Sequence, residues 1–126
     1  MAAQLEHVNI TLKDARATAQ ILVDLFGWHI RWEGPAKDGG HSVHVGNETS
    51  YLALYTPAWE LNPEARRYHH EASMNHIGVV VDDIDAIEEK VKAAGYAPHS
   101  HDDYEPGLRF YFDGPDGVEY EVVSYA

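Results

Sequence analysis

Nine histidines and no cysteine stand in a chain of 126 residues, so a transition metal bound here would rest on imidazole and carboxylate ligands. Two of those histidines occupy matching places. The segment Glu6-His7-Val8-Asn9-Ile10-Thr11-Leu12-Lys13-Asp14 has a counterpart in Asn75-His76-Ile77-Gly78-Val79-Val80-Val81-Asp82-Asp83. In each, a His opens an alternating stretch, and an Asp seven residues later stands where a helix N-cap belongs. Glu121 lies 45 residues beyond His76, and the matching point after His7 falls at Leu52 or Ala53. Leu52 and Leu54 form the aliphatic pair, so alternation assigns Ala53 to the polar face. Two imidazoles, one carboxylate and a fourth position without a donor make an open metal site, able to admit a substrate.

The elements that must position these groups are legible from periodicity. Thr18, Leu22, Leu25 and Phe26 share one helical face that closes at Gly27. Ile84, Ile87, Val91 and Ala94 share another that closes at Gly95. Short strand patterns follow each helix, at 28–33, 41–46 and 50–56, then at 96–100, 108–113 and 118–125. The chain therefore reads β-α-β-β-β twice. The expected fold is α+β, one domain over 1–126, with a first module over about 1–56 and a second over about 74–126. The connector, about 57–73, is long enough for a helical turn or a lid.

Side chains alternate across a strand. Val8, Ile10 and Leu12 should face a helix, leaving His7, Asn9 and Thr11 on the other side. Ile77, Val79 and Val81 should likewise oppose His76, and Tyr120 and Val122 should oppose Glu119, Glu121 and Val123. The same logic puts Arg109 and Tyr111 on the face of Glu121.

The formal net charge is −12, with 21 acids against nine Lys and Arg. Such a surface repels phosphate backbones and anionic lipid, so neither nucleic acid nor membrane is an expected partner. A small-molecule substrate and a cytoplasmic location are expected instead. Cysteine nucleophiles, thiolate metal sites and disulfides are excluded.

Three motifs carry a resemblance: Leu5-Glu6-His7-Val8, Asn75-His76-Ile77-Gly78, and Gly114-Pro115-Asp116-Gly117-Val118-Glu119-Tyr120-Glu121. Together, over nearly the whole chain, they resemble the vicinal oxygen chelate superfamily, which includes glyoxalase I, extradiol dioxygenases, fosfomycin-resistance transferases and bleomycin-resistance proteins. The resemblance implies paired βαβββ modules forming a U-shaped sheet around a divalent metal held by His7, His76 and Glu121. Ala53 stands where glyoxalase I carries a Glu, which turns the expectation away from proton shuttling by two carboxylates. Tyr111 stands at the spacing before the Glu ligand that extradiol dioxygenases show, and His101 is the nearest candidate for acid–base work. Gly114 departs from the Asp or Asn usual at its position.

The first expectation is thus an extradiol dioxygenase-like enzyme using Fe(II), with substrate contacts from Asn9, Arg109 and the face at Ala53. The alternatives are a glyoxalase-like lyase or isomerase, or a thiol transferase, using Mn, Zn or Ni. A metal-free drug-binding protein of the bleomycin-resistance kind is the non-enzymatic alternative. Members of this length also imply a homodimer.

Overall fold

The computed structural model describes residues 2–62, 68–69, 71–104 and 107–126. The chain divides into two compact units, Met1–Leu61 and Asn62–Ala126. In the first, β1 (His7–Thr11) leads into α1 (Ala15–Phe26), followed by β2 (His29–Pro35), β3 (His41–Gly46) and β4 (Tyr51–Thr56). The helix starts where the Asp14 carboxylate accepts the Ala17 N–H at 3.0 Å. It stops at Gly27, whose left-handed φ of 71° directs its N–H back to the Val23 carbonyl. The sheet order is β1-β4-β3-β2, with β1 parallel to β4 and the other pairs antiparallel.

One face of α1 buries Ala15, Thr18, Ala19, Leu22 and Leu25. It lies over β3 and β4, where Val43, Val45, Leu52 and Leu54 are also buried. Each aliphatic side chain so covered contributes roughly 1.5–3 kcal/mol. Val8, expected beneath the helix, is 42% exposed instead, because α1 sits over the centre of the sheet rather than over β1. Phe26 is only half-buried and tilts onto Trp28, with ring centroids 5.1 Å apart.

The second unit repeats the order. β5 (Ile77–Val80) leads into α2 (Ile84–Ala93), then β6 (His99–Tyr104), β7 (Gly107–Asp113) and β8 (Glu119–Ser124), arranged β5-β8-β7-β6 with β5 parallel to β8. Asp83 caps α2 as Asp14 caps α1, accepting from Ala86 N at 3.1 Å. Only Val91 of this helix is fully buried, and Ala94 is exposed as its C-cap. The core here is aromatic: Phe110, Phe112 and Tyr120 are each at most 1% exposed.

Most strand ends shift by a residue or two from the sequence reading, and three differences bear on the site. β5 begins at Ile77, so His76 stands just before the strand. β6 covers His99–Tyr104 rather than 96–100, because Tyr96 N still bonds the helix carbonyl of Val91 and Pro98 has no N–H to give a ladder. The described part of the connector forms turns and bends without a helix, and 63–67 and 70 lie outside the described residues. Gly114 also has a local cause: a Cβ there would stand 2.9 Å from the buried Tyr120 ring. Among the described residues, no helix is long and apolar enough to cross a membrane.

Candidate metal centre

The two sheets share a register as well as an order. In the second, Gly78 pairs with Glu121 and Glu121 with Tyr111, which in turn pairs with His99. In the first, Asn9 pairs with Ala53 and Ala53 with His44, which pairs with Trp32. Ala53 therefore holds the register position of Glu121, and His44 that of Tyr111. The same face of each sheet carries the polar set, opposite the helix.

In the second unit this face gathers a dense group. His76 Nε2 lies 3.2 Å from Glu121 Oε1, and His76 Nδ1 lies 3.7 Å from Glu119 Oε1. Arg109 Nη1 donates to Glu121 Oε2 at 2.6 Å, and both side chains are nearly buried, at 11% and 13% exposure. Tyr111 meets the His76 ring edge-on, with centroids 5.5 Å apart. The Tyr68 hydroxyl donates to Glu119 and stands 3.1 Å from His76 Nδ1. Tyr68 is itself held by its backbone N–H, which donates to Asn75 Oδ1 at 2.7 Å.

These contacts fit a metal. Two donors bound to one ion at about 2.0–2.2 Å stand roughly 2.8–3.6 Å apart, from octahedral to tetrahedral angles, and the 3.2 Å between His76 and Glu121 lies within that range. The outer atoms of both groups are engaged, His76 Nδ1 by Tyr68 and Glu121 Oε2 by Arg109, leaving Nε2 and Oε1 facing one another. Outer partners of this kind orient ligands and typically govern about 10–100-fold in metal affinity. Tyr68→Phe is accordingly expected to weaken metal binding about 10–100-fold with little change in fold, measured by titration against a chromophoric chelator.

His7 stands in the first unit with its side chain 43% exposed, its Nδ1 2.9 Å from Glu6 Oε1. Its ring stacks on Tyr51 at 4.9 Å, and Tyr51 also stacks with His44 at 4.7 Å and lies under the Arg31 guanidinium. Burial, then the neighbouring charges of His7 and Arg31, hold His44 below the ordinary histidine value of 6.5, against a smaller opposing pull from Glu6. Because the folded value is depressed, the contribution of neutral His44 to stability is complete above 6.5 and is lost as pH falls through the folded value. NMR titration should find His44 titrating below 6.5, and His44→Gln should flatten the acid-side fall in stability. A His44 midpoint at or above 6.5 would contradict the packing around Tyr51.

Asn9 lines a cavity of about 490 Å³ in the first unit, together with Ser42, Tyr55 and Trp59. Ala53 is buried on the same face, at 3% exposure.

His101 is placed differently from the expectation that it acts beside Tyr111. Its Nε2 lies 2.9 Å from Glu88 Oε2 on α2, and its ring stacks on the core residue Phe110. The imidazole stacked beside Tyr111 is His99, with centroids 6.2 Å apart. The cause is a bulge in β6. His99 pairs with Tyr111 and Asp102 with Arg109, so three steps on β6 match two on β7. Ser100 absorbs the extra residue at φ 56°. Strict alternation would keep both histidines on one face; the bulge sends His101 to the helix side.

Sequence reasoning also passed over Tyr68, Glu119 and His99 as parts of this group. For Glu119 the alternation with Glu121 was a usable signal. Tyr68 lies in a turn with left-handed φ of 72°, where no periodicity betrays a direction.

No curated protein matches the chain. Solved structures do. The chain superimposes on SMU.1112c with a TM-score of 0.82 at 17% identity, covering 98% of this chain and 99% of that one. It matches the fosfomycin resistance protein FosX from Listeria monocytogenes, solved with Mn(II) and sulfate, with a TM-score of 0.73 at 18% identity, over 98% and 93% of the two chains. TnmS3, an antibiotic binding protein from Streptomyces sp. CB03234, gives 0.72 at 16% identity, over 99% and 98%. At these identities the likeness is one of fold. The Glyoxalase/Bleomycin resistance protein/Dioxygenase superfamily model matches residues 4–122, nearly the whole chain, and on that match the protein belongs to this superfamily.

Proposed function

We propose that the protein is a metal-dependent enzyme acting on a small organic substrate with two adjacent oxygens, its ion held by His7, His76 and Glu121. The observation that carries this reading is the 3.2 Å approach of His76 Nε2 to Glu121 Oε1, with the outer atoms of both groups held by Tyr68 and Arg109. Two imidazoles and one carboxylate with open positions suit Fe(II) oxygen chemistry, with Mn(II) the alternative ion. Bound there, the metal would supply Lewis acidity and a template for a chelating substrate.

The protein's own groups divide the remaining work. Arg109 fixes the Glu121 carboxylate, and Tyr68 fixes the His76 ring. Tyr111, edge-on to His76, offers a hydroxyl to a substrate oxygen. Asn9 is the proposed polar contact to the organic body. Ala53 contributes no fourth ligand, so the position stays available to substrate. On these grounds extradiol-type ring cleavage is the preferred reaction, with no role for His101 in proton transfer.

The test is metal content after reconstitution of wild type, His7→Ala and His76→Ala, followed by oxygen uptake with catechols under Fe(II). Loss of one Fe(II) equivalent per chain in both variants, with catechol-dependent oxygen uptake by wild type, supports the reading. Isomerisation of hemithioacetals under Zn or Ni without oxygen uptake would replace ring cleavage by glyoxalase-like chemistry. A second reading, ligand binding without turnover, is favoured by the aromatic-walled cavity and by the likeness to TnmS3. It prevails if wild type takes up no stoichiometric metal.

A further inference from the structure

Beside the His76–Glu121 pair, and touching it through Glu119, lies a second set of ligand-type atoms. Asp113 on β7 pairs with Glu119 on β8, and His99 on β6 stands next to them. One ligand-type atom from each of His99, Asp113 and Glu119 lies within 4.8 Å of the other two. His99 Nε2 is buried and makes no hydrogen bond, although it stands 3.8 Å from Asp113 Oδ2. That separation is too long for a hydrogen bond. It is close to the roughly 3.3–3.6 Å expected between two donors bound tetrahedrally to one ion at about 2.0–2.2 Å.

The ring is also aimed. His99 Nδ1 lies 2.9 Å from Ser100 Oγ, which holds the imidazole by its far nitrogen in the way an outer partner orients a metal-binding His. Ser100 does so from the left-handed backbone of the β6 bulge, a conformation non-glycine residues adopt sparingly. Burial of Glu119, whose side chain is 11% exposed, supplies a low-dielectric floor. Asp113, half exposed, leaves room for water to complete the coordination.

We propose that His99, Asp113 and Glu119 form a second divalent-cation site, separate from His76 and Glu121, suited by its one nitrogen and two carboxylate oxygens to Zn²⁺ or Mn²⁺. The proposal stands independently of the enzyme reading. Its test is titration of the protein with Zn²⁺ against a chromophoric chelator near pH 7. Wild type is compared with His76→Ala/Glu121→Gln, and with that double variant further carrying His99→Gln or Asp113→Asn. The double variant should keep one zinc equivalent, and either added change should weaken it by more than about tenfold. Failure of the double variant to bind zinc would overturn the proposal, as would affinity unchanged by both additions. Wild type losing its only zinc with His99→Gln, but not with His76→Ala, would uphold this site and sink the other. Far-UV circular dichroism of the metal-free variants checks folding; should His99→Gln misfold, Asp113→Asn, a near-isosteric change at a half-exposed position, decides.

Discussion

Glu121→Gln is expected to abolish metal binding at the His76–Glu121 centre, lowering affinity there by more than about 100-fold, while leaving the fold intact. Loss of an outer partner alone costs about 10–100-fold, and this change removes a direct anionic donor. The amide is nearly isosteric and its oxygen can still accept from Arg109 Nη1, which now donates to Oε2 at 2.6 Å. Far-UV circular dichroism should therefore be unchanged, and turnover should fall with the metal. Glu121→Ala provides the contrast. It removes the carboxylate from beside a guanidinium that is only 11% exposed, and breaking a buried charge pair from one side costs about 3–5 kcal/mol. Equal metal affinity for wild type and Glu121→Gln would remove Glu121 from the ligand set, whatever the activity.

Phe112→Ala should cost about 3–5 kcal/mol, the range for truncating a buried aromatic. Its ring is fully buried, stacks on Tyr120 at 5.1 Å, and has Tyr96 and Phe110 as further ring neighbours. α2 contributes little cover of its own, with Val91 its one fully buried side chain, so no aliphatic layer stands ready to refill the space. Against a typical total of about 5–15 kcal/mol, the loss should lower the thermal midpoint by more than about 10 °C. Val80→Ala, at a position 64% exposed, should stay within about 0.5 kcal/mol. Similar midpoints for both variants would place the core elsewhere. Tyr120 shares this core, and burial pushes its phenol above the usual tyrosine range, so it stays neutral in the folded chain and its contribution to stability is lost only as pH rises above the ordinary tyrosine value.

The fold was legible because the chain says the same thing twice. The His-strand-Asp-helix-Gly phrase fixes α1 and α2 by their caps, and the alternation in β4 and β8 orients Ala53 and Glu121. What escaped was whatever depends on a broken period. Tyr96 looks like the start of a strand because it is aromatic, yet its N–H still belongs to the end of α2. Val8 alternates correctly but lies beyond the reach of α1. His101 was favoured over His99 as the histidine nearer to Tyr111 in the sequence, and the bulge at Ser100 turns it to the helix side. Tyr68 escaped because a turn residue points where its own φ sends it, and composition does not encode that.

The bulge at Ser100 also bears on how such a chain can change over generations. Losing one residue inside a strand ordinarily turns everything beyond it inside out. In β6 the strand already carries one residue too many, so deleting Ser100 would restore even pairing with β7 while His99 stays opposite Tyr111 and His101 stays on the helix side. A single codon loss would thus spare the facing of both imidazoles as well as β7 and β8. β6 is therefore a place where the strand can shorten by one residue without exchanging what faces Tyr111.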